Sequence, residues 1–373
     1  MVVRGLFKAL IGALALVLIT PGMASATVSV TPDVTAKVAG GVYGMTQVGD
    51  RTIIGGVFTA VGGKARSNVA AITADGKVDL AFNPGTDGKV LAVAASEDGS
   101  VIFLGGTFTQ AGGAPRANLA AVDAVTGVAI AEWTADTSGT YADVVSLAVD
   151  GNRLYVGGRF TGIDGKTSHK RLAAIDIVTG NLVTAFKPAP NAVVQEVVVA
   201  PDGTVYAGGF FTTLGGQARP SGAGSVRPVD GVATAFAPDG VGGGVRTIAL
   251  SPDGSRLFYS TENNTLFAFD TAGSNQPEWL IKTSGNTQAI VVSDDEMWIG
   301  GHFSQIVTGH IPRPFVASLD PADGTVNEWN PQCVGGKMGV WALVLTDTDL
   351  HLGGLFSGFG TTSQRGYARF SQI

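Results

Sequence analysis

A short motif, two glycines followed by one variable position and a phenylalanine, returns six times in this chain at nearly constant spacing. The first glycines of the six motifs are Gly55, Gly105, Gly157, Gly208, Gly300 and Gly353. Successive first glycines are 50, 52, 51, 92 and 53 residues apart, so the interval of 92 contains one repeat without the motif. The segment Arg256-Leu257-Phe258-Tyr259-Ser260 lies where that copy belongs. Seven glycine-marked repeats of about 50 residues predict the blades of an all-β, seven-bladed β-propeller rather than a helical array.

The alternation of apolar and polar residues predicts four antiparallel strands in each repeat. In the second repeat they are expected over 90–95, 101–108, 118–123 and 129–134. Asp-Gly pairs in the short turns, such as Asp98-Gly99, supply the positive φ that tight hairpins need. The double glycine is expected where a neighbouring backbone comes closest or where the strand bulges.

The two ends of the chain are expected to meet. The last repeat stops after three strands, while residues 27–32 precede the first repeat where an outer strand belongs. We therefore predict that the N-terminal strand completes the last blade, which removes open sheet edges.

Residues 1–26 have the pattern of a signal peptide. Arg4 and Lys8 lie before a short apolar stretch, residues 9–19. Ala24-Ser25-Ala26 is a small-residue cleavage signal. The apolar stretch is too short for a comfortable membrane span. The sequence thus predicts cleavage after Ala26 and a single propeller domain, 27–373, that is secreted or at the cell surface, with no membrane span after cleavage.

Charge excludes one class of partner. Without Arg4 and Lys8 the chain has 22 basic and 30 acidic residues, a net charge of −8, and no basic run. Nucleic-acid binders carry a clustered positive surface, so a nucleic-acid partner is not expected. The single cysteine, Cys333, predicts a propeller without internal disulfides, and we expect it to be buried. A monomer or weak associate is expected.

The long connections, from the second to the third strand and from each repeat to the next, are all predicted on one face, where binding sites usually lie. An arginine recurs there before the third strand: Arg66, Arg116, Arg171, Arg219, Arg313 and Arg365. Two interpretations stay open. These cations could capture an acidic glycan, or each could bind the carbonyls of its own loop.

A second set of candidates follows the glycine pairs, where the residue type varies freely. Arg159 and His302 occupy that position, and His169 and Lys170 lie in a long loop. The predicted ligand-binding residues are therefore Arg116, Arg159, His169, Lys170, Arg219 and His302, with protein or glycan as the ligand.

The sequence has no recognisable catalytic motif. His169, His302, His310 and His351 have no metal-ligand spacing, and no nucleophile elbow is present. We expect no metal and no cofactor. A non-catalytic binding module is the first interpretation, with an envelope protein or polysaccharide as the partner. A glycan hydrolase or lyase with its site at the channel mouth and a structural envelope component are the alternatives.

The Gly-Gly-x-Phe-Thr repeat with a trailing arginine resembles bacterial secreted β-propeller repeat proteins of unknown function. It is also similar to the ectodomain of fungal cortical polarity-marker proteins. The double glycine resembles that of kelch repeats, although the paired downstream Tyr and Trp of kelch repeats are absent here. The resemblance covers residues 27–373 except the fifth repeat. It implies a propeller and an exported location, and it brings no catalytic residues.

Overall fold

The computed structural model of the chain describes residues 28–239, 242–273, 275–336 and 338–372. The predicted signal peptide and Thr27 lie outside the described residues. Within the described part the chain is all-β, and one 3₁₀ turn, Thr308–His310, is its helical content.

Seven antiparallel sheets follow one another along the chain, and each is built from a first, a second and a third strand. The first strands are Val38–Val48, Lys89–Ala95, Val144–Asp150, Val194–Val199, Val245–Leu250, Thr287–Val292 and Gly339–Leu345. The second strands are Arg51–Val61, Val101–Thr107, Arg153–Gly158, Val205–Gly209, Arg256–Thr261, Met297–Gly301 and Asp349–Leu355. The third strands are Val69–Ile72, Leu119–Asp123, Leu172–Asp176, Ala223–Val226, Thr265–Asp270, Val316–Leu319 and Tyr367–Ser371.

Two-residue strands lie in the long connections within and between the repeats. They are Lys64–Ala65, Gln110–Ala111, Ala114–Pro115, Thr137–Ser138, Gly162–Ile163, Thr213–Leu214, Gln217–Ala218, Gln305–Ile306, Ile311–Pro312, Cys333–Val334, Gly358–Phe359 and Thr362–Ser363. Four of the seven tight turns between first and second strands use Asp-Gly, with φ of +70° at Gly99 and +73° at Gly254 as expected.

The prediction of an outer fourth strand is wrong for most repeats, where the pairing beyond the third strand is shorter than predicted. Among the described residues only the fifth sheet has one, Trp279–Lys282. In the second sheet a single bridge joins Val122 to Ala129, after which the Trp133 amide donates to the Ile130 carbonyl and turns the chain. That turn buries the Trp133 indole. The buried aromatic side chain therefore takes the place of a continued outer strand.

The hydrophobic core lies between consecutive sheets. One buried cluster joins Ile53 and Phe82 of the first repeat to Val90 and Leu104 of the second. Equivalent clusters lie between the later pairs of sheets, and one joins Ala342 and Tyr367 of the seventh repeat to first-repeat residues. Aromatic side chains that follow the third strands pack between the repeats. Phe82, Trp133, Phe186, Phe236 and Trp329 are buried, and Trp279 is partly buried against a core cluster.

The first strands are also in sequential contact. Each first strand contacts the first strand of the next sheet, and the seventh contacts the first. The outer edge of the seventh sheet is bordered by residues 28–33: Val28 bridges Gln372, the Ser29 amide donates to the Ser371 carbonyl (2.9 Å), and the Asp33 amide donates to Arg369 (2.8 Å).

Candidate functional site

Every first strand carries a β-bulge at the same place, opposite the double-glycine position of its second strand. In the second sheet Val90 pairs with Gly106 and Ala92 pairs with Gly105, so Leu91 is the extra residue. The equivalent extra residues of the seven sheets are Tyr43, Leu91, Val145, Gln195, Arg246, Gln288 and Trp341. We call these seven the bulge residues. A bulge re-aims a side chain out of the regular alternation of its strand.

The two glycines of a pair are needed for different reasons. A Cβ on Gly106 would lie 1.9 Å from the Lys89 carbonyl oxygen, the backbone that the bulge pushes across the sheet. A Cβ on Gly105 would lie 2.5 Å from Cγ1 of Val144 in the next sheet. The expectation of a bulge is therefore met at Gly106, whereas the next sheet approaches Gly105 through a valine side chain rather than through its backbone. In the fifth sheet Ser260 and Thr261 take these positions, and the Ser260 hydroxyl donates to the Thr287 carbonyl of the sixth.

All seven bulge residues line one cavity of about 560 Å³. Its other lining residues include Gly44, Ala92, Ser146, Ala289 and Ala342, which are the small residues that follow a bulge. The lining lies where first strands begin and second strands end, which is the end that carries the long connections. The volume falls in the range of small-molecule sites, about 300–1,000 Å³.

One side of the cavity mouth is aromatic. Trp341 lies between Tyr43, with ring centroids 5.2 Å apart and nearly perpendicular, and His302, also at 5.2 Å. The Trp341 indole N–H donates to the Met338 carbonyl at 2.5 Å, which fixes the ring. Burial, followed by the positive charge of Arg246, lowers the pKa of His302, so its imidazole is neutral at pH 7. Trp341 thus has a fixed orientation between two other rings.

The facing side carries planar polar groups. Gln195 and Gln288 line the cavity, and among the described residues their side-chain amides have no hydrogen-bond partner. Arg246 lies between them in chain order. Its Nη2 pairs with Glu262 Oε1 at 2.6 Å, and its guanidinium lies 5.8 Å from the Phe210 ring centroid. Two free amides and a held guanidinium therefore line this side.

Arg159, one of the predicted site residues, lines the cavity next to Asp143. The Arg159 side chain is 63% exposed, whereas Asp143 is buried. Asp143 accepts hydrogen bonds from the Arg159 amide (3.0 Å), from its Nε (2.9 Å) and from its Nη2. The carboxylate of Asp143 is therefore fully used in holding Arg159 at the rim of the cavity.

Glu196 is the carboxyl group of the cavity with the most altered acidity. It follows the bulge residue Gln195, at a position where the other sheets have Gly, Ala, Ser or Thr. Its Oε2 accepts a hydrogen bond from the Ile248 amide of the next sheet at 2.8 Å. Burial raises its pKa from 4.5 to about 7. Glu196 is therefore about half protonated at neutral pH.

This raised pKa predicts a pH-dependent stability. Between pH 4.5 and 7 the folded protein retains the Glu196 proton while the unfolded chain releases it, so stability falls as pH rises through that range. The full effect is on the order of 3 kcal/mol. We expect Glu196→Gln to remove it, so that the variant exceeds the wild type in urea midpoint at pH 8 but not at pH 4.5. Glu132→Gln, at an exposed side chain, is the matched control. An unchanged difference between wild type and Glu196→Gln across this pH range would contradict the assignment.

The recurring arginines lie away from the cavity. Arg116 is buried, and its guanidinium donates to the Pro115 carbonyl (2.7 Å) and to the Ile130 carbonyl (2.8 Å). Arg219 does the same with Ala218 and Thr234, both at 2.7 Å. The structure thus favours the second interpretation, in which each arginine ties its own loop to the segment that follows the third strand.

The six recurring arginines of the sequence do not all occupy the same structural position. Arg66, Arg116, Arg219 and Arg313 share one position and the same pair of carbonyl contacts, and the first three are buried whereas Arg313 is partly exposed. His169 and Gln364, both buried, occupy it in the third and seventh repeats. Arg171 lies at a positive-φ residue (+66°) two positions later. His169 is therefore buried under its loop with Ser168 Oγ 2.9 Å from Nδ1, while Lys170 is exposed, and neither reaches the cavity.

Cys333 is buried, as expected, and burial raises the pKa of its thiol to about 12. No group of three or more His, Cys, Asp or Glu side chains within the described ranges is placed to hold a metal ion. None of the helical segments in the described part of the chain is long and apolar enough to cross a bilayer.

Comparison with known proteins identifies the class of fold. A family model described as "Domain of unknown function (DUF5122) beta-propeller" matches residues 50–82. A chain of the mitotic checkpoint complex crystal structure is similar over 97% of this chain and 98% of its own, at 13% identity and a TM-score of 0.63. The WD40 β-propeller domain of Doa1 is similar over 93% and 97% of the two chains, at 12% identity and a TM-score of 0.62.

A third similar structure is the computationally designed Ika8 protein, with coverages of 93% and 100%, 13% identity and a TM-score of 0.55. No curated protein sequence matches this chain. At these identities the structural likenesses show the fold alone. The protein is a β-propeller, a fold that in general serves as an interaction or binding module.

Proposed function

We propose that this chain is an exported, seven-bladed β-propeller that binds its ligand at the mouth of the central cavity, on the face with the long loops. Three observations support the blade count and closure. Seven sheets follow one another, their first strands are in contact from the first to the seventh and back, and residues 28–33 border the seventh sheet. The pattern of residues 1–26 supports export.

The observation that carries the binding function is the cavity lined by the bulge residues. Seven repeats place one freely varied residue each at the same mouth, whereas the residues next to each bulge are β-branched or small in every sheet except the fourth, where Glu196 follows the bulge. A repeated scaffold with variable residues converging on one concave surface is what a binding site needs. The partner class is an envelope polysaccharide or protein, and no cofactor is required.

The test uses the purified chain 27–373 on arrays of glycans and of peptides, with two variants that add the same bulk on opposite faces. Val145→Tyr narrows the cavity mouth at a bulge position, and Val178→Tyr adds a ring at an exposed turn of the other face. We expect Val145→Tyr to weaken array binding at least tenfold and Val178→Tyr to leave it unchanged. Binding by no array ligand, or loss in Val178→Tyr alone, would contradict the proposal and favour a structural envelope component.

A glycan hydrolase is the second candidate, and Glu196 is the specific observation in its favour. A carboxyl group that holds its proton near pH 7 is suited to general acid catalysis. Hydrolysis of a glycosidic bond generally needs a second carboxylate. Asp143, the other carboxylate of the cavity wall, is occupied by Arg159, which favours binding over hydrolysis. Release of reducing sugar from bound oligosaccharide that is lost in Glu196→Gln would establish the hydrolase instead.

A further inference from the structure

The bulge residues are not randomly distributed around the cavity mouth. In chain order they comprise a polar run, Gln195, Arg246 and Gln288, then an aromatic pair, Trp341 and, across the junction of last and first repeats, Tyr43. Leu91 and Val145 complete the set. The bulge residues therefore give the mouth one hydrogen-bonding side and one side of flat and aliphatic side chains. Lys89 and the Arg159–Asp143 pair also line the cavity.

This division matches the two kinds of surface on a sugar ring. A pyranose presents a face of C–H groups that stacks on an aromatic ring, and an edge of paired hydroxyls that planar amide and guanidinium groups bind two at a time. The Gln195 and Gln288 amides have unused hydrogen-bonding capacity among the described residues. Trp341 is held in place by Tyr43, His302 and the Met338 carbonyl before any ligand arrives. A preformed platform reduces the ordering cost of binding.

The same bulges disfavour an extended peptide. Peptides that add to a sheet edge need a regular row of free backbone groups. Here each first strand, which forms the cavity wall, is interrupted near its start by a register shift. In the third and fourth sheets, side chains already use the amides of the next first strand: Ser146 Oγ accepts from Val197 and Glu196 accepts from Ile248. Recognition at this mouth is therefore by side chains.

We infer that the cavity ligand is an oligosaccharide end, stacked on Trp341 and Tyr43 and hydrogen-bonded through its hydroxyls by Gln195, Gln288 and Arg246. This inference rests on the proposed function, because it assigns the ligand class of the same cavity. Two of the cations that line the cavity are paired, Arg159 with Asp143 and Arg246 with Glu262, and Lys89 is a third cation of the lining.

The experiment is calorimetric titration of chain 27–373 with β-1,4-linked tetramers of glucose and of N-acetylglucosamine. We expect at least one tetramer to bind, Trp341→Ala to weaken binding tenfold or more, and Trp341→Phe to retain most of it. Gln288→Ala should weaken binding three- to tenfold, and since this side chain has no partner in the described protein, its loss leaves folding intact. Leu280→Ala, at an exposed position of an outer strand, should change nothing.

Two other outcomes separate the inference from the proposed function. Peptide binding that Val145→Tyr blocks, without binding of any glycan on the array or of either tetramer, would overturn the saccharide assignment and leave the cavity as the binding site. Tetramer binding that is retained in both Trp341→Ala and Gln288→Ala would place the sugar outside the cavity. It would overturn the saccharide inference and the proposed function together.

Discussion

Gly106→Ala is expected to lower the free energy of unfolding by about 3 kcal/mol, at the upper end of the usual cost of overpacking. The added Cβ would lie 1.9 Å from the Lys89 carbonyl oxygen and 3.1 Å from Val90 Cα, which are backbone atoms that no rotamer change can move aside. The bulge in the first strand must then shift or flatten. The measurement is the urea midpoint of chain 27–373.

The matched control is Gly242→Ala, because a Cβ there meets nothing within 4 Å. We expect its effect to stay within about 0.5 kcal/mol, as for surface substitutions in general. Equal stability of Gly106→Ala and the wild type would show that the bulge is not fixed by the glycine pair. The fifth sheet, with Ser260 and Thr261, shows that a whole repeat can be adapted to side chains at this place, so we expect destabilisation rather than failure to fold.

Deletion of residues 27–33 is expected to cost about 4 kcal/mol or more, from the burial of Val28 and the loss of several hydrogen bonds of about 1 kcal/mol each. Val28 packs with Trp329 and Phe370, and the Trp329 indole donates to the Ser29 carbonyl at 2.9 Å. Asp33 accepts from Arg369 Nε at 2.7 Å and from Ser371 Oγ at 2.8 Å. The deletion also exposes a sheet edge that can pair with other molecules.

Two measurements check this deletion: the thermal midpoint and the fraction that remains monomeric in size-exclusion chromatography. Val34→Ala is the control, because that side chain is 94% exposed although it directly follows the deleted segment. Unchanged melting and solubility after the deletion would contradict ring closure by the chain's own beginning.

The sequence predicts the repeats because the double glycine marks a place where a Cβ would clash with the backbone of the bulge. No change of side-chain rotamer can remove that clash. The unmarked fifth repeat is found at residues 256–260, within its second strand. The outer strands are predicted too long, because apolar alternation does not reveal that Trp133 ends the pairing by turning into the core.

The candidate site is predicted only in part. Arg159 lines the cavity and His302 packs beside it, whereas His169, Arg116 and Arg219 are buried in their own loops. Five charged or aromatic cavity residues of the first strands, Tyr43, Arg246, Trp341, Glu196 and Lys89, are not among the predicted site residues. Strict alternation along a strand assigns each residue to one of the two sheet faces. A bulge adds one residue that breaks this alternation, so the direction of its side chain cannot be predicted in this way. A signal did exist: a variable residue between a β-branched and a small one, as in Val340-Trp341-Ala342, recurs 12 to 14 residues before five of the six glycine pairs, and before the remaining pair Glu196 replaces the small residue.

Hydrogen exchange of chain 27–373, measured with and without the bound tetrasaccharide, tests most directly whether the bulge residues form the binding site. Bound ligand should slow exchange at the starts of the first strands, over 89–93, 195–198, 286–290 and 339–343. The short turns at the opposite end, such as 96–100 and 200–204, should exchange as before. Protection confined to those turns, or to the outer edges of the sheets, would contradict a ligand site at the bulge-lined cavity.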